Sequence, residues 1–144
     1  MKTFAIVAVA FVLAACAKGG NTSAAASASA SAEANNPASA SDGAVVYRNN
    51  CSSCHQLDGK GLRGAFPPLA GNPTVTGNPT AVIVVVKNGL EGRVVVNGVT
   101  YSGIMPHWGG VLSDEQIASV ITYIRSSWHN GAQGVSLAQV RAVK

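Results

Sequence analysis

The chain has 144 residues and a mass of 14.5 kDa, enough for one small domain rather than two. Hydrophobic residues make up 47% and charged residues 11%, which excludes a disordered chain and a coiled coil. The formal charge of +4 is spread without any run of Lys or Arg, so nothing indicates a nucleic-acid-binding face. The three Cys are an odd number, so disulfide pairing cannot use all of them.

The N-terminus reads as an export signal. Lys2 precedes an apolar run, residues 4–15, that is too short to span a bilayer, which takes about 20 residues. Small residues end the run directly before Cys16. This end resembles the lipobox of bacterial lipoproteins, which implies that residues 1–15 are removed and that Cys16 carries lipid. An ordinary signal peptide with an incidental Cys is the alternative. By the same resemblance Ala17, where Asp would signal retention, favours the outer over the inner membrane.

A tether is predicted next. Residues 17–42 contain ten Ala and six Ser, and no aromatic or large aliphatic side chain. Such a segment cannot bury enough apolar surface to offset the entropy of ordering it, so we predict a flexible tether over residues 16–42. A helix is the alternative, because Ala favours helix. The folded domain is predicted at residues 43–144.

The first half of this domain is predicted to hold two helices. Ser41 or Asp42 is expected to cap a short helix that ends near Asn50. Residues 52–78 are rich in Gly, Pro and Asn and are predicted to be mostly loop. The β-branched run within residues 79–88 would suit a strand. A preceding Asn, a Pro at the first helical position and a following Gly favour a helix instead.

The second half is predicted to contain a hairpin and two further helices. Residues 93–101 form the hairpin, because the Asn-Gly pair at 97–98 suits a type I′ turn. Ser113 opens a capping box for a helix that reaches about Trp128. Its apolar face comprises Ile117, Val120, Ile121, Ile124 and Trp128. A second capping box at Ser136 starts a short terminal helix.

Residues 51–55 read Cys-Ser-Ser-Cys-His, the C-x-x-C-H signature of covalent haem attachment. Two Cys at this spacing reach the two vinyl groups of one haem, and His55 then faces the iron. A structural zinc site and a thioredoxin-like motif are the alternatives. The first needs four ligands and the second a strand-to-helix turn, and neither setting surrounds Cys51 and Cys54. Haem attachment, with lipid on Cys16, accounts for all three Cys.

Met105 is the leading candidate for the second axial ligand of the iron. It is the only Met once the signal is removed, and Gly103 and Pro106 flank it, which indicates an extended loop. A Met that only fills the core would suit a helix interior better. His107, two residues further on, is the rival ligand. His129 is expected to end the long helix, where positive charge is favourable.

Together these motifs make residues 43–144 resemble the small class I cytochromes c of bacteria. The resemblance rests on Gly43, Tyr47, the C-x-x-C-H motif and residues 66–71, 105–108 and 120–123. It implies an all-α fold around one covalently bound haem c, with a short β-hairpin before the Met ligand loop. It also implies that Gly43 and Tyr47 cross the long helix that begins after Ser113, near Val120 and Tyr123.

Several site residues follow from the same resemblance. The Pro67 carbonyl is expected to accept the proton on the free ring nitrogen of His55, which fixes the ring and raises its basicity. Leu69, Ile104 and Trp108 are expected to line the haem. Arg93, Tyr101 and Asn72 are candidates for contacts to the haem propionates.

The resemblance implies an electron-transfer protein rather than an enzyme. Met ligation favours Fe(II) and raises the potential, which suits a monomeric, lipid-anchored one-electron carrier on the periplasmic side of a bacterial membrane. Its partners would be respiratory complexes and a terminal oxidase, reductase or peroxidase, docked at the haem edge beside Lys60 and Arg63. The alternatives are a fixed haem subunit of a larger respiratory or dehydrogenase complex, and a gas-binding sensor with a labile Met105.

Overall fold

The computed structural model describes residues 39–144, with the side chain of residue 41 left out. The described residues form α1 (Ala40–Asn50), α2 (Ser52–His55), α3 (Pro73–Thr76), α4 (Pro79–Asn88), β1 (Val94–Val96), β2 (Val99–Tyr101), α5 (Asp114–Ser126) and α6 (Leu137–Ala142). The fold is therefore helical with one small sheet. The predicted signal, the lipid on Cys16 and most of the predicted tether lie outside the described residues. Within residues 39–144, no helix is long and apolar enough to cross a membrane.

Helix α1 begins earlier than expected. Its N-cap is Ser39, so the helix starts inside the segment predicted as tether, and neither Ser41 nor Asp42 is the cap. The reason is that the Gly43 amide already donates to the Ser39 carbonyl at 3.2 Å, which closes the first turn. The predicted end at Asn50 is confirmed.

Helix α1 crosses α5 at Gly43. A Cβ on Gly43 would overlap the Ser119 carbonyl and lie 2.8 Å from Tyr123 Cβ, so a residue without a side chain lets the helices approach this closely. The approach buries Tyr47 of α1 completely. The crossing that the resemblance implied is confirmed. The core around it consists of Val46, Tyr47, Val75, Val82, Ile83, Val86, Ile117, Ala118, Val120, Ile121, Ile124, Val135 and Val140.

Residues 79–88 form helix α4, as the end signals predicted against the β-branched composition. The Asn78 side chain accepts a hydrogen bond from Thr80 N at 2.9 Å, and Pro79 occupies the first helical position. Gly89 ends the helix with φ of 77°. The β-branched side chains then serve packing, because Val82, Ile83 and Val86 face the core.

Strands β1 and β2 form the predicted hairpin. They pair antiparallel with Val94 opposite Tyr101 and Val96 opposite Val99. The turn residues at 97 and 98 have φ of 50° and 77°, and a type I′ turn requires positive φ at both. The side chain of the turn Asn donates to the Gly71 carbonyl at 3.2 Å, which fixes the hairpin to the rest of the domain.

Helix α5 ends at Ser126, two residues before the expected end at Trp128. Its capping box at Ser113 and its buried apolar face are confirmed, except for Trp128. Trp128 has φ of 51°, outside the helix, because its indole packs on Tyr47 instead, with ring centroids 5.1 Å apart. His129 has φ of 64° and is exposed, so the expectation that it ends the helix is wrong. The predicted capping box of α6, between Ser136 and Gln139, is confirmed.

Two basic side chains hold the C-terminal third of the domain. Arg125 is 4% exposed and donates to backbone carbonyls of Gln133, Val75 and Gly77, so its buried charge is hydrogen-bonded. Lys87 of α4 donates to the carbonyls of Val140 and Val143 and lies 3.6 Å from Asp114. Their six partners belong to several different segments of the chain.

Candidate haem-binding site

The C-x-x-C-H motif lies where α1 passes into α2. Cys51 N donates to the Tyr47 carbonyl at 2.9 Å, and the Cys51 carbonyl accepts from Cys54 N at 3.2 Å and His55 N at 2.9 Å. One helical turn therefore separates the two Cys and brings His55 next to them. Neither Cys forms a disulfide, and both are half-buried. Before haem is attached, burial, followed by the nearby Cys54, raises the pKa of Cys51 to about 11, so the unattached thiol is protonated at neutral pH.

The imidazole of His55 is held in one tautomer. Its Nδ1 lies 3.0 Å from the Pro67 carbonyl, the contact that the resemblance implied. A carbonyl can only accept, so Nδ1 carries the proton and the lone pair of Nε2 is free. Burial lowers the pKa of His55, an effect that the Pro67 bond partly opposes, so the ring is neutral. A neutral imidazole with a free Nε2 beside two thiols fits a covalently attached haem whose iron it would ligate.

The chain reverses sharply after His55. Gln56 has φ of 61°, unusual for a residue other than Gly. The Tyr47 hydroxyl donates to the Gln56 carbonyl at 2.6 Å, and Trp128 Nε1 donates to the Leu57 carbonyl at 3.2 Å. Aromatic side chains from α1 and from the segment after α5 therefore support the turn that leaves the haem motif.

The segment after Pro67 is fastened at two places. Leu69 N and Ala70 N both donate to the Gly59 carbonyl, at 2.7 Å and 3.0 Å. Asn130 Nδ2 donates to the Leu69 carbonyl at 3.1 Å, and its Oδ1 accepts from Gly71 N at 2.8 Å. These bonds fix the backbone that carries the acceptor for His55 and the predicted haem-lining Leu69.

Met105 is placed by the C-terminal end of α4. Met105 and Leu90 form an isolated antiparallel bridge with two backbone hydrogen bonds of 2.9 Å each. Trp108 N donates to the Val86 carbonyl at 3.0 Å and continues the attachment. The side chains of Met105 and Trp108 are half-buried and pack against the core, whereas His107 is exposed. Of the two rival ligands, Met105 is the one that faces the interior.

The Met105 loop is also joined to the loop after the haem motif. Ser102 N donates to the Gly64 carbonyl at 3.3 Å, and Gly103 N donates to the Ala65 carbonyl at 2.9 Å. The segments that carry His55 and Met105 are therefore attached to each other directly. Ile104, predicted to line the haem, is 68% exposed in this structure.

The structure weakens two other expectations. Asn72 caps α3, because it accepts from Thr74 N at 2.9 Å and donates to the Pro68 carbonyl at 2.8 Å, so its polar atoms are engaged without a propionate. Lys60 lies 3.3 Å from Asp58, which offsets its charge and leaves Arg63 as the basic residue of that loop without an ion pair among the described residues. The sequence did not predict that Trp128 and Asn130 support the loops around the haem motif, because no local sequence pattern identifies either residue.

Two thiols one helical turn apart, beside a His that presents Nε2, define the c-type cytochromes. The chain belongs to a family of this class: the sequence model of the family described as cytochrome c oxidase, cbb3-type, subunit III matches residues 38–124. The chain therefore contains a cytochrome c domain, whose cofactor is covalently bound haem c and whose role is electron transfer.

The relatives include proteins named cytochrome c-552 and cytochrome c subunits of dehydrogenases. Cytochrome c-552 of Thermus thermophilus is 41% identical over 91 residues, which cover 60% of this chain and 68% of the relative; a second form is covered over 60%. The cytochrome c subunit of the quinone alcohol dehydrogenase of Gluconacetobacter polyoxogenes is 43% identical over 98 residues, 67% of this chain and 20% of the subunit. The cytochrome c subunit of gluconate 2-dehydrogenase of Pantoea cypripedii is 39% identical over 101 residues, 67% of this chain and 22% of the subunit. The chain thus spans about a fifth of the length of these dehydrogenase subunits.

Proposed function

We propose that this protein is a membrane-tethered periplasmic electron carrier of the class I type, with one haem c attached to Cys51 and Cys54. His55 and Met105 are its axial ligands. The observation that carries this proposal is the tautomer of His55: the Pro67 carbonyl, 3.0 Å from Nδ1, leaves Nε2 to face a metal. The adjacent Cys51 and Cys54 favour haem attachment over a catalytic acid–base role for this ring.

The described residues would bind the haem, orient it and exclude water from it. When bound, the haem supplies an iron that exchanges one electron between Fe(II) and Fe(III). His55 is kept basic by the bond to Pro67, and the soft, neutral Met105 favours Fe(II) and raises the potential. Leu69 and Trp108 are half-buried and pack against the core, and an iron held by both His55 and Met105 would have no open position for a substrate.

The tether places this centre at a membrane surface. Lipid on Cys16 anchors the mature chain, and Ala17 favours the outer membrane over the inner. The Ala- and Ser-rich residues 17–38, which precede α1, let a monomeric domain reach redox partners near that surface. The partners are respiratory complexes and a terminal oxidase, reductase or peroxidase.

A fixed haem subunit of a larger respiratory or dehydrogenase complex is the second candidate. The similarity to two dehydrogenase cytochrome subunits supports it, although this chain corresponds to only about a fifth of each. Solubilisation in mild detergent separates the two candidates. A carrier elutes as a lone polypeptide, and a subunit elutes with the other chains of its complex.

The carrier function is tested by spectroelectrochemistry of the mature protein under CO. We expect one reversible one-electron wave and no change of the reduced spectrum when CO is added at neutral pH. A reduced protein that binds CO would contradict the proposal and support a gas-binding sensor with a labile Met105.

A further inference from the structure

Gly61 lies against the carbonyl that orients His55. Its φ is 64°, and a Cβ on this residue would overlap the Phe66 carbonyl oxygen and lie 2.6 Å from the Pro67 carbonyl oxygen and 2.8 Å from the Pro67 carbonyl carbon. The Pro67 oxygen is the one that accepts from His55 Nδ1. Both neighbours are backbone, so no side-chain rotation could relieve the contact.

The surrounding hydrogen bonds decide which way the backbone would move. Gly61 N donates to the His55 carbonyl at 3.0 Å, so the backbone of Gly61 is tied to that of His55. Leu62 N donates to the Phe66 carbonyl at 2.8 Å, so the return of the chain toward Pro67 is equally constrained. Pushing Pro67 away from Gly61 therefore pushes it away from the segment that carries the imidazole.

We propose that Gly61 is a positioning residue that sets the strength of the His55–Pro67 hydrogen bond, and through it the reduction potential. This inference rests on the proposed function, because it requires His55 to be an iron ligand. Van der Waals contact needs a separation of roughly 3.5 Å. A shift of a few tenths of an ångström already takes the Nδ1–O distance beyond the ~3.2 Å limit of a good hydrogen bond.

The expected direction follows from the chemistry of the ligand. A strong bond from Nδ1–H to a carbonyl makes the imidazole a better electron donor, which stabilises Fe(III) and lowers the potential. Lengthening the bond has the opposite effect. Gly61→Ala should therefore raise the reduction potential and shift the NMR resonance of the His55 Nδ1 proton toward the values of a weaker hydrogen bond.

Gly71 supplies a matched control. Its φ of 62° is nearly the same as that of Gly61, but a Cβ on Gly71 would meet no heavy atom of the described residues within 4 Å. Gly71→Ala therefore introduces the same backbone strain without pressing on Pro67. We expect both variants to lose thermal stability, Gly61→Ala more because of the added overlap, while only Gly61→Ala changes the potential and the Nδ1 proton. The pair Gly61→Asn and Gly71→Asn repeats the comparison with a residue that tolerates positive φ better.

The outcomes separate this inference from the proposed function. If the potential of Gly61→Ala equals that of Gly71→Ala, or falls below it, Gly61 does not tune the bond. If neither Gly61 variant retains haem while both Gly71 variants do, the contact is needed for folding and the tuning role is overturned. If His55→Ala in the wild-type background retains the full haem spectrum, His55 is not the ligand and the proposed function itself is wrong.

Discussion

Leu90 and Met105 exchange both of their backbone hydrogen bonds, each 2.9 Å long. Leu90 follows directly on the Gly that ends α4, so the packed helix determines where the Met105 backbone lies. Because the Met105 loop is attached to the domain at Leu90, the position of the Met105 thioether does not depend on its bond to the iron alone. The stability of Met ligation should therefore depend on the end of α4.

Gly89→Ala tests this dependence. A Cβ on Gly89 would lie 2.7 Å from the Met105 carbonyl oxygen and 2.9 Å from His107 N, so the Met105 segment must move outward. We expect the weak near-infrared band of ferric Met–haem ligation to disappear at a lower temperature than in the wild type. The control is Gly92→Ala, which has φ of 87° and no heavy atom of the described residues within 4 Å of the added Cβ. Both substitutions cost about 1–2 kcal/mol of backbone strain, so equal loss of the band in both variants would refute the dependence.

Covalent attachment requires both Cys of the motif. The wild-type haem should survive acid–acetone extraction and stain for peroxidase activity on a denaturing gel. Cys51→Ser and Cys54→Ser should each retain haem through one thioether, whereas the double variant should release it on extraction. Ser53→Ala, an exposed change between them, should behave as the wild type. Extractable haem in the wild type would exclude thioether attachment.

Tyr47 should make the domain sensitive to alkaline pH. Burial raises the pKa of Tyr47 well above its ordinary value of about 10, with smaller contributions from Cys51, Tyr123 and Asp58. Above roughly pH 10 the unfolded chain loses this proton while the folded chain keeps it, so the free energy of unfolding falls as pH rises.

Urea unfolding between neutral and alkaline pH measures the effect. Tyr47→Phe should lower the free energy of unfolding by about 0.5–1.5 kcal/mol at neutral pH, since the Gln56 carbonyl loses its donor. The difference in the free energy of unfolding between this variant and the wild type should shrink at alkaline pH. Tyr123, whose ring centroid lies 5.4 Å from that of Tyr47, supplies the control: Tyr123→Phe keeps Tyr47, so the alkaline loss should persist. If the free energy of unfolding of Tyr47→Phe falls at alkaline pH as steeply as that of the wild type, Tyr47 is not the group responsible.

The lipid anchor depends on Cys16. The wild-type protein should partition into detergent and incorporate labelled palmitate. Cys16→Ser should prevent that processing and abolish the label. A wild-type protein that remains unlabelled in the aqueous phase would refute the anchor and leave the haem assignments unaffected.

The sequence predicts local structure well where end signals are strong. Asn78 and Gly89 predict α4 as a helix although its composition favours a strand. Residues at the helix ends satisfy the unpaired backbone groups there, whichever side chains the helix itself carries. The Asn-Gly turn at 97–98 predicted the hairpin because few residues adopt positive φ twice in succession. Both features are encoded within a few residues.

Long-range packing explains what the sequence did not reveal. Trp128 has helical spacing with Ile124 and was expected on α5, but its contact with Tyr47 draws it off the helix. Gly61 looks like any loop Gly until the return of the chain brings Pro67 against it. Arg125 shows no local sign of burial, because the carbonyls it contacts belong to segments up to fifty residues away. The haem motif could be identified in sequence, whereas the contacts that orient its His emerge only from the fold.

The identity of the sixth ligand is the central claim, and CO binding to the reduced protein at neutral pH tests it most directly. Met105 faces the core and His107 is exposed, so the wild type and His107→Ala should not bind CO. Met105→Ala should bind CO and show a lower potential, because a ligand that favours Fe(II) is lost, and Met105→His should stay closed to CO at a lowered potential. If His107→Ala binds CO and Met105→Ala does not, the ligand is His107 and the protein is a bis-His cytochrome.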